Sequence, residues 1–435
     1  MGNLKKLLAA VAVLALTANS ASAQKPSARS LNSMSLEAEG FRGAVFTVPA
    51  LDRGAVPANG QQALPDDNAI QRADLVEATG PPNTSDPTAA LQPEEFVFGG
   101  NPCVLPWKFW GGAEVLLGVS RPVPVVPVVT TGPATAGLLN AGAIGQPGTV
   151  PIFGGKRMLG DWRGGLRAEG GMWFDAAQNT GVTGRFYSLY STSDQLVGAG
   201  NGTNVVNVPQ FVSLGGTIIQ IPAFVGFPGL TTGTVSTTAQ TMFAGGDVNL
   251  RRILRQTRRW NFDALVGYRQ LYLHDELGAD FNVVGALPPP LFAIASGGSN
   301  IRTQNQFFGP NFGLVASTAG KRWSLEALGA VALGVNVSDL DFKRNLLLRA
   351  TAVPATPLVL ANVHDPMTYF GTVAEGGFKV GFRVREHAKL TFGYTGLYWG
   401  NVRRAQEQLT LAPALTGNTT YYFAHMLSCG AELRY

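Results

Sequence analysis

From residue 109 to the last residue, apolar and polar positions alternate in a series of short runs, and the final run shows the pattern best. In Tyr421–Tyr435, one face reads Tyr421, Phe423, His425, Leu427, Cys429, Ala431, Leu433 and Tyr435. The other reads Tyr422, Ala424, Met426, Ser428, Gly430, Glu432 and Arg434. A period of two predicts a β-strand. An apolar face ending in an aromatic residue, with charge on the opposite face, suits the closing strand of an outer-membrane barrel. A soluble β-sandwich strand can alternate in the same way, so this stretch alone leaves both open.

Nine further segments behave alike: Phe109–Val119, Asp161–Phe174, Gly181–Leu189, Thr238–Leu250, Trp260–Leu273, Gln304–Ala316, Trp323–Val335, Phe370–Val384 and Lys389–Trp399. Most place a hydrophobic face against a charged one. Val115 and Leu117 oppose Glu114; Leu166 and Met172 oppose Arg163, Arg167 and Glu169; Phe186 opposes Arg185. Val248 opposes Asp247, Phe262 and Val266 oppose Asp263 and Arg269, and Val331 opposes Glu326. Phe378 and Val380 oppose Glu375, Lys379 and Arg383. The facing of Gln304–Ala316 is ambiguous.

The connections decide between sandwich and barrel. Long ones (Ser120–Gly160, Tyr190–Thr237, His274–Thr303, Asn336–Tyr369, Gly400–Thr420) alternate with short ones (Asp175–Thr180, Arg251–Arg259, Ser317–Arg322, Arg385–Ala388). That is the rhythm of an up-and-down barrel with short periplasmic turns and long external loops. Aromatic residues sort to the strand ends as two girdles would. Trp110, Trp173, Trp260, Trp323 and Tyr435 are expected at the periplasmic end, and Trp162, Tyr272, Tyr398, Trp399, Tyr421 and Phe423 at the external end. The expected fold is all-β: an up-and-down antiparallel transmembrane β-barrel of about ten strands.

The N-terminal quarter differs. Lys5 and Lys6, the apolar run Leu7–Ala18 and Ala21-Ser22-Ala23 form an export signal, with Gln24 the expected first mature residue. Residues 24–106 lack sustained periodicity and carry PDD, TGPPNTSDP and LQPEE, the composition of a disordered periplasmic tail. No apolar run reaches the length of a membrane helix, so a membrane protein of this sequence must cross with strands. Charged residues make up 14% of the chain, below the roughly 25% of an average soluble protein. Cys103 precedes the first strand while Cys429 lies within the last, so a disulfide is not expected.

Seven stretches resemble the beta-barrel porin-7 family of outer-membrane proteins: WGGAEVLLG, VVTTGP, GAIGQPGTVPIFGG, RGGLRAEGGMWF, FAGGDVNLRR, FDALVGYRQLYLHDEL and FGYTGLYWGNVRR. They occur in family order across Trp110–Tyr435. The resemblance implies an outer-membrane porin; passive diffusion of small polar solutes or ions through a charged lumen would need no cofactor. After Val402 the chain reads Arg403-Arg404-Ala405, where the family pattern has a turn-forming Arg-Pro-Gly, so the external connection there is expected to differ.

The candidate functional residues are the inward charges: Glu114, Arg163, Arg167, Glu169, Arg185, Asp247, Asp263, Arg269, Glu326, Glu375, Lys379, Arg383, Glu432 and Arg434. They either line a polar pore for small solutes or ions or fill the lumen as a salt-bridged network. The second alternative makes the protein a plugged barrel whose long external loops bind partners. His274-Asp275 and His364-Asp365 raise a third reading, an outer-membrane hydrolase, but neither has a nucleophile context. No metal cluster is expected. The basic turn RRILRQTRR (Arg251–Arg259) lacks the interleaved aromatics of a nucleic-acid surface, so nucleic acid is not expected. Expected partners are outer-membrane lipid, the barrel-assembly machinery acting on the C-terminal strand, and small solutes or ions, for a monomer in the outer membrane.

Overall fold

The structure is a computed structural model that describes residues 108–138, 140–214, 217–285, 294–349, 356–409 and 417–435. The expected export signal, tail and Cys103 lie outside the described residues. In chain order the strands are β1 (Phe109–Ser120), β2 (Val123–Pro124), β3 (Val129–Thr131), β4 (Val150–Phe153), β5 (Arg157–Met158) and β6 (Arg163–Trp173). There follow β7 (Thr180–Gly200), β8 (Val206–Leu214), β9 (Thr217–Gly226), β10 (Thr231–Gln256) and β11 (Asn261–Gly285). The last are β12 (Ile294–Ala319), β13 (Trp323–Arg349), β14 (Thr356–Arg385), β15 (Ala388–Val402) and β16 (Thr420–Arg434). Between β15 and β16 lies one helical turn, Ala405–Gln408.

Ten strands close a barrel in the ring order β1-β16-β15-β14-β13-β12-β11-β10-β7-β6. All ten pairings are antiparallel, and β1 closes the ring by pairing with β16 on one side and β6 on the other. Closure gives every wall strand two hydrogen-bonded neighbours, which lipid requires because it offers no partner to a free backbone group. The ten strands coincide with the ten periodic segments of the sequence.

Alternation sets the two faces. Val115, Leu117, Val248, Val266, Phe378, Phe392 and Leu427 are exposed on the outside, while Glu114, Asp247, Arg269 and Glu375 are buried inside. The ambiguous strand β12 resolves the same way: Asn305, Phe307, Asn311 and Val315 are buried inward, and Phe312 and Leu314 are exposed outward. Cys429 is a free thiol on the outer face.

The structure corrects the expected long external loops. β10 runs 26 residues and β14 runs 30, against the roughly 9–11 that cross a bilayer. In the connections Tyr190–Thr237, His274–Thr303 and Asn336–Tyr369 the wall strands therefore run on as hairpins, carrying the wall beyond the membrane. Inside the external part of that wall, β4-β3-β8-β9 form a four-stranded sheet and β2-β5 a two-stranded one. Val125, Val129, Phe153, Val206, Val208 and Val225 pack this cap onto inward residues of the wall, among them Val235, Ala239, Leu277, Ile301 and Leu340.

Candidate functional site: a lumen filled in layers

Inward positions along β11 read Asp263, Arg269, Leu271, Leu273, Asp275 and Leu277, and the lumen changes chemistry in that order from the periplasmic end. The first layer is a vestibule of about 580 Å³ lined by Trp110, Glu169, Trp173, Arg251, Asp263, Glu326, Lys379, Arg383, Lys389, Glu432 and Arg434, with the turn residues around them. Within it Arg251 Nε donates to Asp263 Oδ2 at 2.7 Å. Lys389 Nζ lies 2.7 Å from Glu432 Oε2, and Arg434 Nε donates to Glu432 Oε1 at 2.7 Å.

Two ion clusters cross the lumen above the vestibule. In the first, Glu114 accepts from Arg167 Nη1 at 3.1 Å and Thr391 Oγ1 at 3.0 Å, with Lys379 Nζ also 3.1 Å away. Lys379 bonds Glu169 as well, and Arg167 Nη2 reaches Thr395 Oγ1 at 2.9 Å. In the second, Arg185 donates to both carboxylate oxygens of Asp247 (3.2 and 2.6 Å) and both of Glu375 (2.8 and 3.0 Å). Arg269 Nη2 joins the same two acids at 3.1 and 2.6 Å. Arg185 on β7 and Glu375 on β14 stand on opposite sides of the ten-strand ring, so their pair spans its diameter. Asn249 extends the cluster to Asn311 on β12. Arg163 lies elsewhere: it donates to Thr241 O, Ser120 Oγ and Tyr422 Oη. Isolated buried charges are costly, and pairing with further hydrogen bonds is what makes these tolerable.

The next layer is apolar. Leu116, Tyr187, Leu189, Phe243, Leu271, Leu273, Phe307, Ala332, Val373, Leu397, Trp399, Tyr422, Ala424 and Met426 pack against one another with almost no exposed surface. Every barrel strand except β6 contributes. β6 supplies Gly165, where a Cβ would stand 2.3 Å from Ser188 O and 3.0 Å from Leu189 Cδ2, so the layer has no room for a side chain there.

Beyond it the segment Arg403–Gln408 folds inward. Arg403, Arg404, Ala405, Gln406 and Gln408 are all buried. Asn305 grips the backbone of Arg403 from both sides, Nδ2 donating to its carbonyl at 2.7 Å and Oδ1 accepting from its N–H at 2.9 Å. The Arg403 guanidinium donates to Asp365 O and Oδ2 at 2.9 and 2.8 Å. Arg404 forks onto Asp275, its Nη2 3.2 Å from Oδ1 and its Nε on Oδ2. Gln406 Nε2 donates to the backbone carbonyls of Gln240 and Glu276.

Several expected positions need correction. Trp110, Trp173 and Trp399 were expected in the girdles but face inward. Trp110 and Trp173 line the vestibule, with Arg251 5.4 Å over the Trp173 ring. Trp399 is wholly buried and its Nε1 donates to Asn336 Oδ1 at 2.8 Å. The reason is parity: adjacent Tyr398 and Trp399 cannot share a face, and Trp110 and Trp173 share the parity of Glu114 and Glu169. Trp162, Trp260, Trp323, Tyr398, Tyr421 and Tyr435 are exposed, and Tyr272 and Phe423 are half-buried. Trp260 stacks on Phe262, and Tyr398 on Tyr421.

Parity also separates the two His–Asp pairs. Asp275 and Asp365 bond Arg404 and Arg403, while their neighbours His274 and His364 turn the other way. No His–Asp dyad forms in either. His364 Nδ1 instead lies 3.0 Å from Asp341 Oδ1 and 3.2 Å from Asp339 Oδ1. So, contrary to the expectation of no metal cluster, three ligand-type atoms fall within 4.8 Å of one another. His364 is exposed and the two aspartates are half-buried, and the histidine–carboxylate pairing alone accounts for the arrangement.

Outside the membrane, two carboxylates have lowered pKa values. On the turn between β6 and β7, backbone N–H groups of Thr180 and Asn179 donate to Asp175 and favour its charged form. On the external part of β11, Glu276 is pulled down to about 2 by the neighbouring His274 imidazole, then by Asn300 and Arg302. His274 Nε2 is 3.8 Å away, while Asn300 Nδ2 donates at 2.6 Å.

The sequence reading missed the Arg403–Arg404 plug. Its signal was present in the two arginines standing where the family pattern has a turn.

No curated protein matches the chain in sequence. Among solved structures it is similar to the outer-membrane protease OmpT from Escherichia coli at 10% identity, covering 76% of this chain and 97% of that one, with a TM-score of 0.38. A FadL homologue from Pseudomonas aeruginosa matches at 8% identity, covering 75% and 90%, with a TM-score of 0.21. An anion-selective porin from Comamonas acidovorans matches at 8% identity, covering 75% and 98%, with a TM-score of 0.14. At these scores the likenesses carry no argument about function. The family model described as Putative beta barrel porin-7 matches residues 110–435, nearly the whole described barrel. This outer-membrane β-barrel belongs to that family.

Proposed function

We propose that the protein is a plugged outer-membrane barrel, closed to passive diffusion in this state, whose external hairpins and capping sheet form a surface for partners. The observation that carries this reading is the apolar layer, to which nine of the ten strands contribute buried side chains and the tenth a glycine. Ions cannot cross such a layer without leaving their hydration shells, and the interior is packed to exclude water. The charged residues below it serve as a paired network rather than a selectivity ring.

A second reading has its own support. The family is named for porins, and the segment Arg403–Gln408 is held across the lumen by polar contacts, which can be exchanged for water more readily than a wall strand can leave the sheet. On this reading small solutes pass only after the segment withdraws and the apolar layer beneath it rearranges. Swelling of liposomes carrying the refolded protein in isotonic small sugars tests the closed state. No swelling above empty liposomes is expected; swelling at porin-like rates would overturn it.

A further inference from the structure

The vestibule at the periplasmic end is open to that side only, because the paired Glu169–Lys379 layer forms its floor. Its charges do not balance. Arg251 is matched by Asp263, Lys379 by Glu114 and Glu169, and both Lys389 and Arg434 share Glu432. Three lining cations remain, Arg259, Lys321 and Arg383. They are exposed, and their side chains make no hydrogen bond or ion pair among the described residues. They come from three successive periplasmic strand ends, where β10 meets β11, β12 meets β13 and β14 meets β15. The one lining carboxylate without an ion pair is Glu326, which sits among Arg251, Lys379 and Lys389, and with it counted the lining still holds seven cations against four carboxylates. The indoles of Trp110 and Trp173 complete the wall.

We propose that this vestibule binds a small polyanion from the periplasm, a free solute with a phosphate or several carboxylates. A volume of about 580 Å³ falls in the range of small-molecule sites. Convergent unpaired cations over low-dielectric walls concentrate anions there, and arginine forks suit oxyanions in particular. The proposal stands whether or not the lumen opens.

Calorimetric titration of the refolded mature protein in neutral detergent with pyrophosphate tests it. Saturable binding near one per chain is expected, weakening as salt rises. The R259Q/K321Q/R383Q variant should lose about tenfold or more in affinity, since charge-assisted contacts are the strong ones. The R255Q/R258Q variant, altered on the same basic turn but outside the cavity, should bind within about twofold of wild type, as screened surface charges do. The K321Q single variant, on an exposed turn, gives a smaller loss of the same sign if the triple variant fails to refold. Doping the micelles with phosphatidylglycerol should leave the titration unchanged. Absence of saturable binding, an equal loss in both multiple variants, or displacement by the lipid would each overturn the proposal, the last two assigning the anion to the membrane surface.

Discussion

Arg404 and Asp275 are both almost completely buried and hold each other across the plug. Removing one partner of such a pair leaves a charge without water or counterion. Asp275→Asn is expected to cost about 3–5 kcal/mol in equilibrium unfolding. The double variant R404M/D275L should cost less than the single one, because it removes both charges. A double variant worse than the single would mean that the pair contributes net stability. Glu276 makes a prediction of opposite accessibility, being partly solvated. Its folded pKa of about 2 lies below the ordinary carboxylate value near 4.5. Its contribution to stability is therefore complete above that ordinary value and is lost as the pH falls from about 4.5 toward 2. Wild type and Glu276→Gln should show unfolding midpoints that converge through that window, and a constant gap would refute the assignment. At this scale the sequence was legible wherever parity alone decides. It identified Glu114, Asp247, Arg269 and Glu375 as inward, yet Trp399 was misplaced because its type outweighed its position. Partner choice, as between Arg185 and Glu375 across the ring, depends on barrel closure and is not written in any local stretch.

At the level of elements, all ten wall strands could be read because lipid on one side and a filled lumen on the other enforce alternation. Their lengths could not. Beyond the membrane the outer face meets water, so stretches such as Thr231–Thr237 and Ser191–Asp194 keep the extended backbone while losing the apolar outer face that announces it. The small strands of the cap were invisible for a related reason: β3 and β5 are three and two residues long, too short to show a period. By contrast β8 and β9, nine and ten residues long, fall inside the stretch Tyr190–Thr237 that was read as a connection. One close fit between elements lies where β6 meets β7, at the level of the apolar layer. Gly165→Ala would drive a methyl group against the Ser188 carbonyl and Leu189. It should destabilise the barrel by about 1–3 kcal/mol, the usual cost of overpacking. Gly184→Ala is the control, since a Cβ there meets only Asp247 O at 3.9 Å. Denaturant unfolding of the two variants checks this, and equal stability would show that the apolar layer is looser than described.

For the whole molecule, the central feature is that one chain builds both the wall and what fills it. The ion clusters, the apolar layer, the Arg403–Gln408 segment and the cap succeed one another along one axis. The family resemblance led toward a charged pore, and the charges are indeed inside. Their pairing, and the hydrophobic layer above them, are what turn a lined channel into a packed interior. The most direct test of that account is single-channel conductance of the refolded full-length protein in a planar bilayer, beside the R403A/R404A variant. The wild type is expected to stay silent while heat-modifiable mobility shows it folded, and the variant to give at most brief, small openings because the apolar layer remains. Steady, resolved conductance steps in the folded wild type would contradict the account and establish an open pore.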